Sequence, residues 1–472
     1  MKVFGREKEK KQIEKLLASD RPEFIAVYGR RRVGKTYMIR ELYGKAFAFE
    51  ASGVLDGSAE EQLSAFVHSL RSFGYKDKRP TKWLDAFYAL EQLLQRKVNR
   101  KKPCIIFLDE MPCMDTPRSG FVHALDWFWN NWASRYPNAK LIVCGSATSW
   151  MIKNIINNYG GLHNRLTYHI HLYPFNLKQT EQFLKKQHFA WDRLTVLQLY
   201  MITGGVPFYL SMLQPDQSLV QNTDRLFFNK DAQLKGEFER LYKSLFKTPE
   251  PYLRIVKALA ENNSGLTQKQ IQTKLNLPKG GHLSEQLEAL VQCDFVRRYD
   301  VMDKKISPRQ GIYQLTDMFT LFHYRFLSSQ HKDGYWQSII GKPRHNAWLG
   351  MAFEKVVAAH IDQVKAALGI SGIYTEYYSW RSRRSEPGAQ IDLLIERADK
   401  VIHVCEIKYS EIPYTVSKNE DALFRNRVAA FKSETGTSAT IQPAFITTLG
   451  LKKNTYSSQV LYNIKLDDLF AL

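Results

Sequence analysis

Tyr28-Gly29-Arg30-Arg31-Arg32-Val33-Gly34-Lys35-Thr36 is the most informative stretch of this 472-residue chain. From Gly29 to Thr36 it matches G-x-x-x-x-G-K-[ST], a pattern whose backbone wraps phosphates. Both flanks agree: the apolar run 24–28 predicts a short buried strand, and helical spacing begins at Lys35. The glycines let the main chain curl so that its amides face a common point, and the start of the helix adds its positive end. The backbone of Gly29, Arg30, Arg31, Arg32, Val33 and Gly34 is expected to cradle the phosphates of ATP. Lys35 would neutralise the β and γ oxygens, and the Thr36 hydroxyl would ligate Mg2+. The plainer alternative, a glycine-rich turn with a chance lysine, does not account for both flanks.

Downstream, Ile105-Ile106-Phe107-Leu108-Asp109-Glu110 reads as an apolar strand ending in two acids. Asp109 is expected to hold Mg2+, directly or through water, and Glu110 to polarise the attacking water. A third apolar run, 141–144, ends in Gly145-Ser146. Ser146 is either a sensor of the γ-phosphate or the water, or part of a strand-ending turn. Arg165 precedes a further run at 166–172. It is a candidate arginine finger, from the same subunit or a neighbour, or else a surface arginine. His163, His169 and His171 do not read as a zinc site. Leu166, Tyr168, Ile170 and Leu172 alternate with Thr167, His169 and His171, which predicts a strand with one buried and one polar face.

Helical spacing over 82–97 and 120–135 separates these runs, so the fold class is α/β, with a P-loop parallel sheet covered on both faces. Helical patterns at 179–187 and 194–202 lead to Gly204-Gly205-Val206-Pro207 and predict a helical lid out to about 240. From Pro251 the pattern changes. Short helices fit 251–261, 267–275 and 281–291, and 295–299 with 312–315 reads as a hairpin. Thr267-Gln268-Lys269-Gln270 is a capping box, the Thr hydroxyl taking a free amide while Gln270 reaches back. Together these resemble a winged helix-turn-helix. Its recognition helix would bury Leu283, Leu287 and Leu290 and turn Lys279, His282, Ser284, Glu285, Gln286 and Glu288 outward. Two glutamates there repel phosphates, so groove reading and a protein-contacting or spacer role both stay open.

Beyond about 340 the expected order is helix (347–368), three strands (373–380, 390–396, 401–408), helix (420–434) and strand (439–448). In Gln390-Ile391-Asp392-Leu393, alternation puts Ile391 and Leu393 on one face and Asp392 on the other. In Cys405-Glu406-Ile407-Lys408, Glu406 and Lys408 share a face and Ile407 points to the core. A turn near 398–400 would pair the two strands and gather Asp392, Glu406 and Lys408 on one surface. Glu354, on the preceding helix, could complete the cluster. Carboxylates on adjacent strands can hold Mg2+ and a nearby ammonium can activate water, which is what phosphodiester hydrolysis needs. The plainer reading is the wet face of an amphipathic hairpin.

The charge balance, 67 Lys+Arg against 47 Asp+Glu for a net +20, favours a polyanionic partner, nucleic acid and DNA first. Basic runs lie at Lys8/Lys10/Lys11, 96–102 and 381–384. The five cysteines form no C-x-x-C pair, and Cys104, Cys144 and Cys405 sit in apolar runs, as reduced buried thiols do. The start Met1-Lys2-Val3-Phe4-Gly5-Arg6-Glu7 has no apolar core of a leader, and no apolar stretch is long enough to span a membrane. A cytoplasmic location is expected.

With these motifs assembled, the chain resembles the archaeal-type ATPases, AAA-related STAND-like P-loop proteins. The resemblance rests on Tyr28 to Thr36, Leu108-Asp109-Glu110, Gly145-Ser146 and Gly204-Gly205-Val206-Pro207, with Phe4-Gly5-Arg6-Glu7 similar to the family's start near the base. It implies an ATPase using ATP and Mg2+, followed in many members by a winged helix and in some by a restriction-endonuclease-like domain. Asp392, Glu406 and Lys408 are spaced as in the PD-(D/E)xK pattern, without its proline. The expected division is 1–245 ATPase core and lid, 246–335 winged helix, 340–472 nuclease-like domain. The expected activity is ATP hydrolysis on, or regulated by, nucleic acid. The alternative is a signalling switch whose tail binds a partner protein without cleavage. Homo-oligomers are compatible with either.

Overall fold

The structure, a computed structural model, describes residues 3–95, 97, 102–157, 164–278, 280–299, 311–329, 331–382 and 389–471. His163, Lys279, Arg383, Arg384 and most of the 96–102 run lie outside the described residues. The chain forms two compact units, one of residues 1–174 with 239–249 and one of 175–238 with 250–472. The expected 1–245 division is therefore crossed, because 175–238 gathers with the C-terminal residues. Among the described residues, no helix is long and apolar enough to cross a membrane.

The first unit is built on a parallel sheet of β1 (Glu23–Tyr28), β2 (Phe47–Ser52), β3 (Cys104–Asp109), β4 (Ala139–Gly145) and β5 (Tyr168–His171), in the order β2-β3-β4-β1-β5. Every residue of β1, β3 and β4 is buried, as expected of parallel strands covered on both faces. Strand alternation divides them between two cores. Phe24, Ala26, Ile106, Leu108, Leu141 and Val143 pack with helices Trp83–Gln95 and Phe121–Asn131. Ile25, Val27, Ile105, Phe107, Ile142 and Cys144 pack with Ile13, Leu16, Met38 and Ile39 on the opposite side. β2 was not expected; as an edge strand with Glu50 and Ser52 in it, it lacks a continuous apolar run. β5 is the other edge, and there Tyr168 is exposed rather than buried, while Ile170 and Leu172 are buried as expected.

In the second unit, helix Leu177–Lys186 starts at a capping box of Asn176 and Gln179. Helix Arg193–Thr203 ends at Gly204, which takes a left-handed conformation. At Gly205 a side chain is excluded outright, since a Cβ would lie 2.1 Å from the Phe175 carbonyl. Helices Glu250–Ala260, Gln268–Lys274 and His282–Gln292 then accompany a small antiparallel sheet, β6 (Leu266–Thr267), β7 (Val296–Tyr299) and β8 (Ile312–Leu315), in the order β6-β8-β7. The Thr267–Gln270 capping box forms as expected.

The last part carries a mixed sheet of β9 (Thr375–Arg381), β10 (Gln390–Arg397), β11 (Val401–Lys408), β12 (Thr440–Thr447) and β13 (Tyr462–Lys465), ordered β13-β12-β11-β10-β9. β9, β10 and β11 are antiparallel neighbours; β11, β12 and β13 are parallel. Helix Lys418–Thr435 joins β11 to β12 and sets Phe424 and Phe431 on Ile391, Leu394, Ile402 and Val404. The expected helix over 347–368 is two, Pro343–Ala359 and Ile361–Ala367, divided at His360.

Candidate functional site

The parallel sheet brings the C-terminal ends of β1, β3 and β4 side by side, so residues just past them must converge. That edge is where ligands meet open α/β sheets. Gly29 leaves β1 at φ 140°, and a Cβ there would stand 2.3 Å from the Leu172 carbonyl oxygen. Gly34 turns at φ 91° with nothing within 4 Å of an added Cβ, so the loop is open on that side. Helix Lys35–Tyr43 follows directly. The Lys35 ammonium, 4% exposed, donates to the carbonyls of Gly29 (2.9 Å) and Arg30 (3.0 Å) and to Ser146 Oγ (3.0 Å). Ser146 in turn donates from Oγ to Glu110 Oε1 (2.6 Å) and from its amide to Glu110 Oε2 (3.1 Å). Thr36 Oγ1 donates to Asp109 Oδ1 at 2.8 Å.

These contacts link Lys35, Ser146 and Glu110 in one hydrogen-bonded chain and Thr36 with Asp109 in a second, the two running through neighbouring residues of the sequence. Glu110 itself is left-handed, at φ 43°, a backbone state uncommon for a residue with a side chain. Burial, then the charge of Glu110, pushes the Asp109 carboxyl up; Thr36 and Arg40 pull it back. A cation would remove the destabilised negative charge, so this donor set fits Mg2+ beside a phosphate. Thr36 and Asp109 would hold the metal; the loop amides and Lys35 would hold the phosphates.

Arg165 is different. It is exposed and precedes β5, whose residues pair with β1 from Ile25 onward. Thr167 bonds to Phe24, at the start of β1, whereas the phosphate loop follows its end. At about 3.3 Å per strand residue the separation exceeds an arginine's reach, so Arg165 does not serve the site of its own chain. Two arginines had no assigned role. Arg40 lies 3.7 Å from Asp109 Oδ2, and the buried Arg6 donates to the carbonyls of Val33 (3.1 Å) and Tyr173 (2.7 Å). Arg40 is one helical turn beyond Thr36 and could have been found from that spacing; Arg6 lies in the Phe4-Gly5-Arg6-Glu7 stretch, whose resemblance pointed to the base but gave the arginine no role of its own.

The C-terminal cluster forms only in part. The β10–β11 hairpin turns at Lys400 (φ 64°) and brings Asp392, Glu406 and Lys408 within each other's fields, with Glu354 beside them. Burial, then Asp392, raises Glu354; burial, then Glu406, raises Asp392. The alternation assumed for β10 fails. A register shift between Ile391 and Leu394 puts both on the helix-covered face, where simple alternation would separate them. Glu406 faces two cations, Arg427 Nη1 at 3.0 and 2.8 Å and Lys408 Nζ at 2.8 Å. Asp392 Oδ1 accepts from Gln390 Nε2 at 2.9 Å. Among the described residues, no three His, Cys, Asp or Glu side chains are gathered to hold a metal. Glu354, Asp392 and Glu406 are thus not gathered as one group of carboxylates, and Arg427 and Lys408 pair with the Glu406 oxygens. His169 and His171 also form no metal group; His171 stacks on Tyr28 at 4.7 Å.

Residues 3–213 match the profile of an ATPase domain predominantly from Archaea. This segment contains every residue of the phosphate-loop group described above. Across 416 residues the chain is 25% identical to an uncharacterized protein of Methanocaldococcus jannaschii, covering 86% of this chain and 87% of that protein. Among solved structures, the Walker-type ATPase of Pyrococcus abyssi is 17% identical, covering 69% of this chain and 96% of that one at a TM-score of 0.49. The ORC2 protein of Aeropyrum pernix, solved with ADPNP and ADP, is 14% identical over 68% of this chain and 93% of that one, at 0.44.

Proposed function

We propose that this chain binds Mg-ATP at the 29–36 loop, hydrolyses it, and uses it in work on, or controlled by, nucleic acid. The observation that carries the reading is the contact chain Lys35–Ser146–Glu110 beside Thr36–Asp109. Bound Mg2+ would supply neutralisation of phosphate charge. The chain's own residues supply the rest. Lys35 turns its ammonium to the β and γ oxygens. Ser146, bonded to both Glu110 oxygens, fixes the carboxylate that accepts the proton of the attacking water. An arginine-finger role for Arg165 would be on a neighbouring copy. Phosphate release by wild type, Lys35→Ala and Glu110→Gln tests this; undiminished release in both variants refutes it.

The nucleic-acid half of the proposal is supported by the net +20 charge and by two arrangements in the second unit. Three helices with the β6-β8-β7 sheet follow a winged-helix order. The 343–359 helix, β9 to β11, the 418–435 helix and β12 follow the order of restriction-endonuclease-like folds. In that reading, Asp392 and Lys408 are the residues to test, by cleavage assays of Asp392→Ala and Lys408→Ala. One observation favours the second reading, a switch whose tail binds without cutting: the Glu406 carboxylate is held by Arg427 and Lys408. Absence of cleavage on every substrate supports the switch.

A further inference from the structure

A cleft of about 630 Å³ opens between the small antiparallel sheet and the mixed sheet, both within the second unit. Its walls are tied at the base. Lys355 Nζ, on a side chain 4% exposed, donates to the Asn263 carbonyl at 2.9 Å. Arg297 of β7 donates to the Ala358 carbonyl at 3.2 Å and lies over the ring of Tyr377 of β9 at 4.1 Å. Glu354 and Asp392 also line the cleft. At its rim Arg381 Nη2 donates to Gln390 Oε1 (3.0 Å), and Gln390 Nε2 to Asp392 (2.9 Å).

We propose that this cleft takes an unpaired nucleic-acid strand, a proposal that rests on reading 340–472 as nuclease-like. The size argues for one strand: the volume is that of a small-ligand pocket, too small for a duplex whose major groove alone is ~12 Å wide. The lining argues for bases. Tyr299 and Tyr377 each carry Arg297 over one ring face and leave the other for a base, and Asn262 and Gln314, whose amides donate to the Ala258 and Asn263 carbonyls, keep their oxygens as acceptors. Watson–Crick edges and ring faces are free for such groups only when a base is unpaired. The exposed Arg381 meets the backbone phosphate at the mouth.

Gly350 provides the test. It lines the cleft from helix Pro343–Ala359, and a Cβ there meets nothing within 4 Å. Gly350→Trp fills the cleft without a clash at Cβ, and Gly350→Ala is its control, favoured by helix propensity. Full-length protein is titrated in EDTA with labelled single-stranded DNA, single-stranded RNA and blunt duplex, read by fluorescence anisotropy. The wild type is expected to bind DNA or RNA single strands at least tenfold tighter than duplex. Gly350→Trp is expected to lose that binding at least tenfold with an unchanged melting temperature, and Gly350→Ala to keep it. Duplex binding as tight as single-strand binding, no oligonucleotide binding by wild type, or single-strand binding indifferent to Gly350→Trp overturns the proposal. A cleavage assay in Mg2+ is run alongside. If no cleavage occurs but Gly350→Trp still removes binding, the nuclease reading fails and the cleft assignment stands.

Discussion

Lys35→Ala offers the sharpest test of the nucleotide site, because the structure sets its expected size. The ammonium makes three hydrogen bonds, to Gly29, Arg30 and Ser146, at 2.9–3.0 Å. A triphosphate does not add three bonds to a bare lysine; it exchanges carbonyl dipoles for anionic oxygens. Two unit charges 4 Å apart attract by about 4 kcal/mol at an effective dielectric of 20. Giving up a bond between a charged and a neutral group offsets roughly 1.5 kcal/mol of this. The remaining ~2.5 kcal/mol is a lower figure, since more than one phosphate oxygen faces the lysine. At 1.4 kcal/mol per tenfold, ATP affinity should fall about 100-fold to 1000-fold. Removing the buried lysine also strips partners from two carbonyls and a hydroxyl. That loss should cost roughly 1–3 kcal/mol of folding stability and lower the melting temperature by about 2–4 °C per kcal/mol. Calorimetric titration with ATP and a thermal melt measure the two effects separately. A folded variant whose Kd stays within threefold of wild type would refute the assignment, and a lowered melting temperature alone would make Lys35 merely structural.

Other substitutions test separate links. Glu110→Gln should leave ATP affinity within a few-fold but cut steady-state phosphate release at least 100-fold, since the amide cannot take a proton. Gly29→Ala should lower the melting temperature by several degrees and abolish ATP binding, because its Cβ would press on the Leu172 carbonyl at 2.3 Å from a backbone at φ 140°. His360 gives a pH dependence. It is 2% exposed, Nδ1 donates to the Val356 carbonyl and Nε2 accepts the Leu177 amide, and burial lowers its pKa from 6.5 to about 4. The neutral ring therefore stabilises the fold above the unfolded value of 6.5, and that contribution is lost as pH falls toward 4. Urea melts at pH 7 and pH 5 should differ by roughly 2 kcal/mol in the second unit, and His360→Gln should flatten the difference.

How much of this was legible in the sequence depended on whether a feature is local. The phosphate loop was, because strand, glycines, lysine and threonine are contiguous and each constrains the next. Asp109 and Glu110 stood out because the acids end an apolar strand downstream of a phosphate loop, whereas an acidic pair at a strand end is by itself often only a turn. The β10–β11 hairpin was readable from two apolar runs on either side of the turn near 398–400. The bulge at Asp392 and Leu393 was not, because a register shift is set by pairing with β9 rather than by the residues themselves. Arg427 was missed because it lies 21 residues from Glu406 and meets it only once helix 418–435 packs on the sheet. Placing Arg165 required the strand order, since only the parallel pairing of β1 and β5 fixes it at the far edge.

The two sites differ in what an incoming ion must displace, and this ranks the two halves of the proposed function. At the phosphate loop, Lys35 is held by carbonyls and a hydroxyl, and Asp109 by a hydroxyl with Arg40 at 3.7 Å. A magnesium nucleotide replaces neutral partners with charged ones in a buried setting, so the exchange strengthens each contact. At the C-terminal cluster, Glu406 already has two cations within 3.0 Å. A divalent ion there exchanges charge for charge and leaves Arg427 in search of another partner, with a side chain already partly withdrawn from water. The first exchange is driven by the protein's own electrostatics. The second needs something else to draw Arg427 away, and a phosphate backbone entering beside it is the anion able to do so.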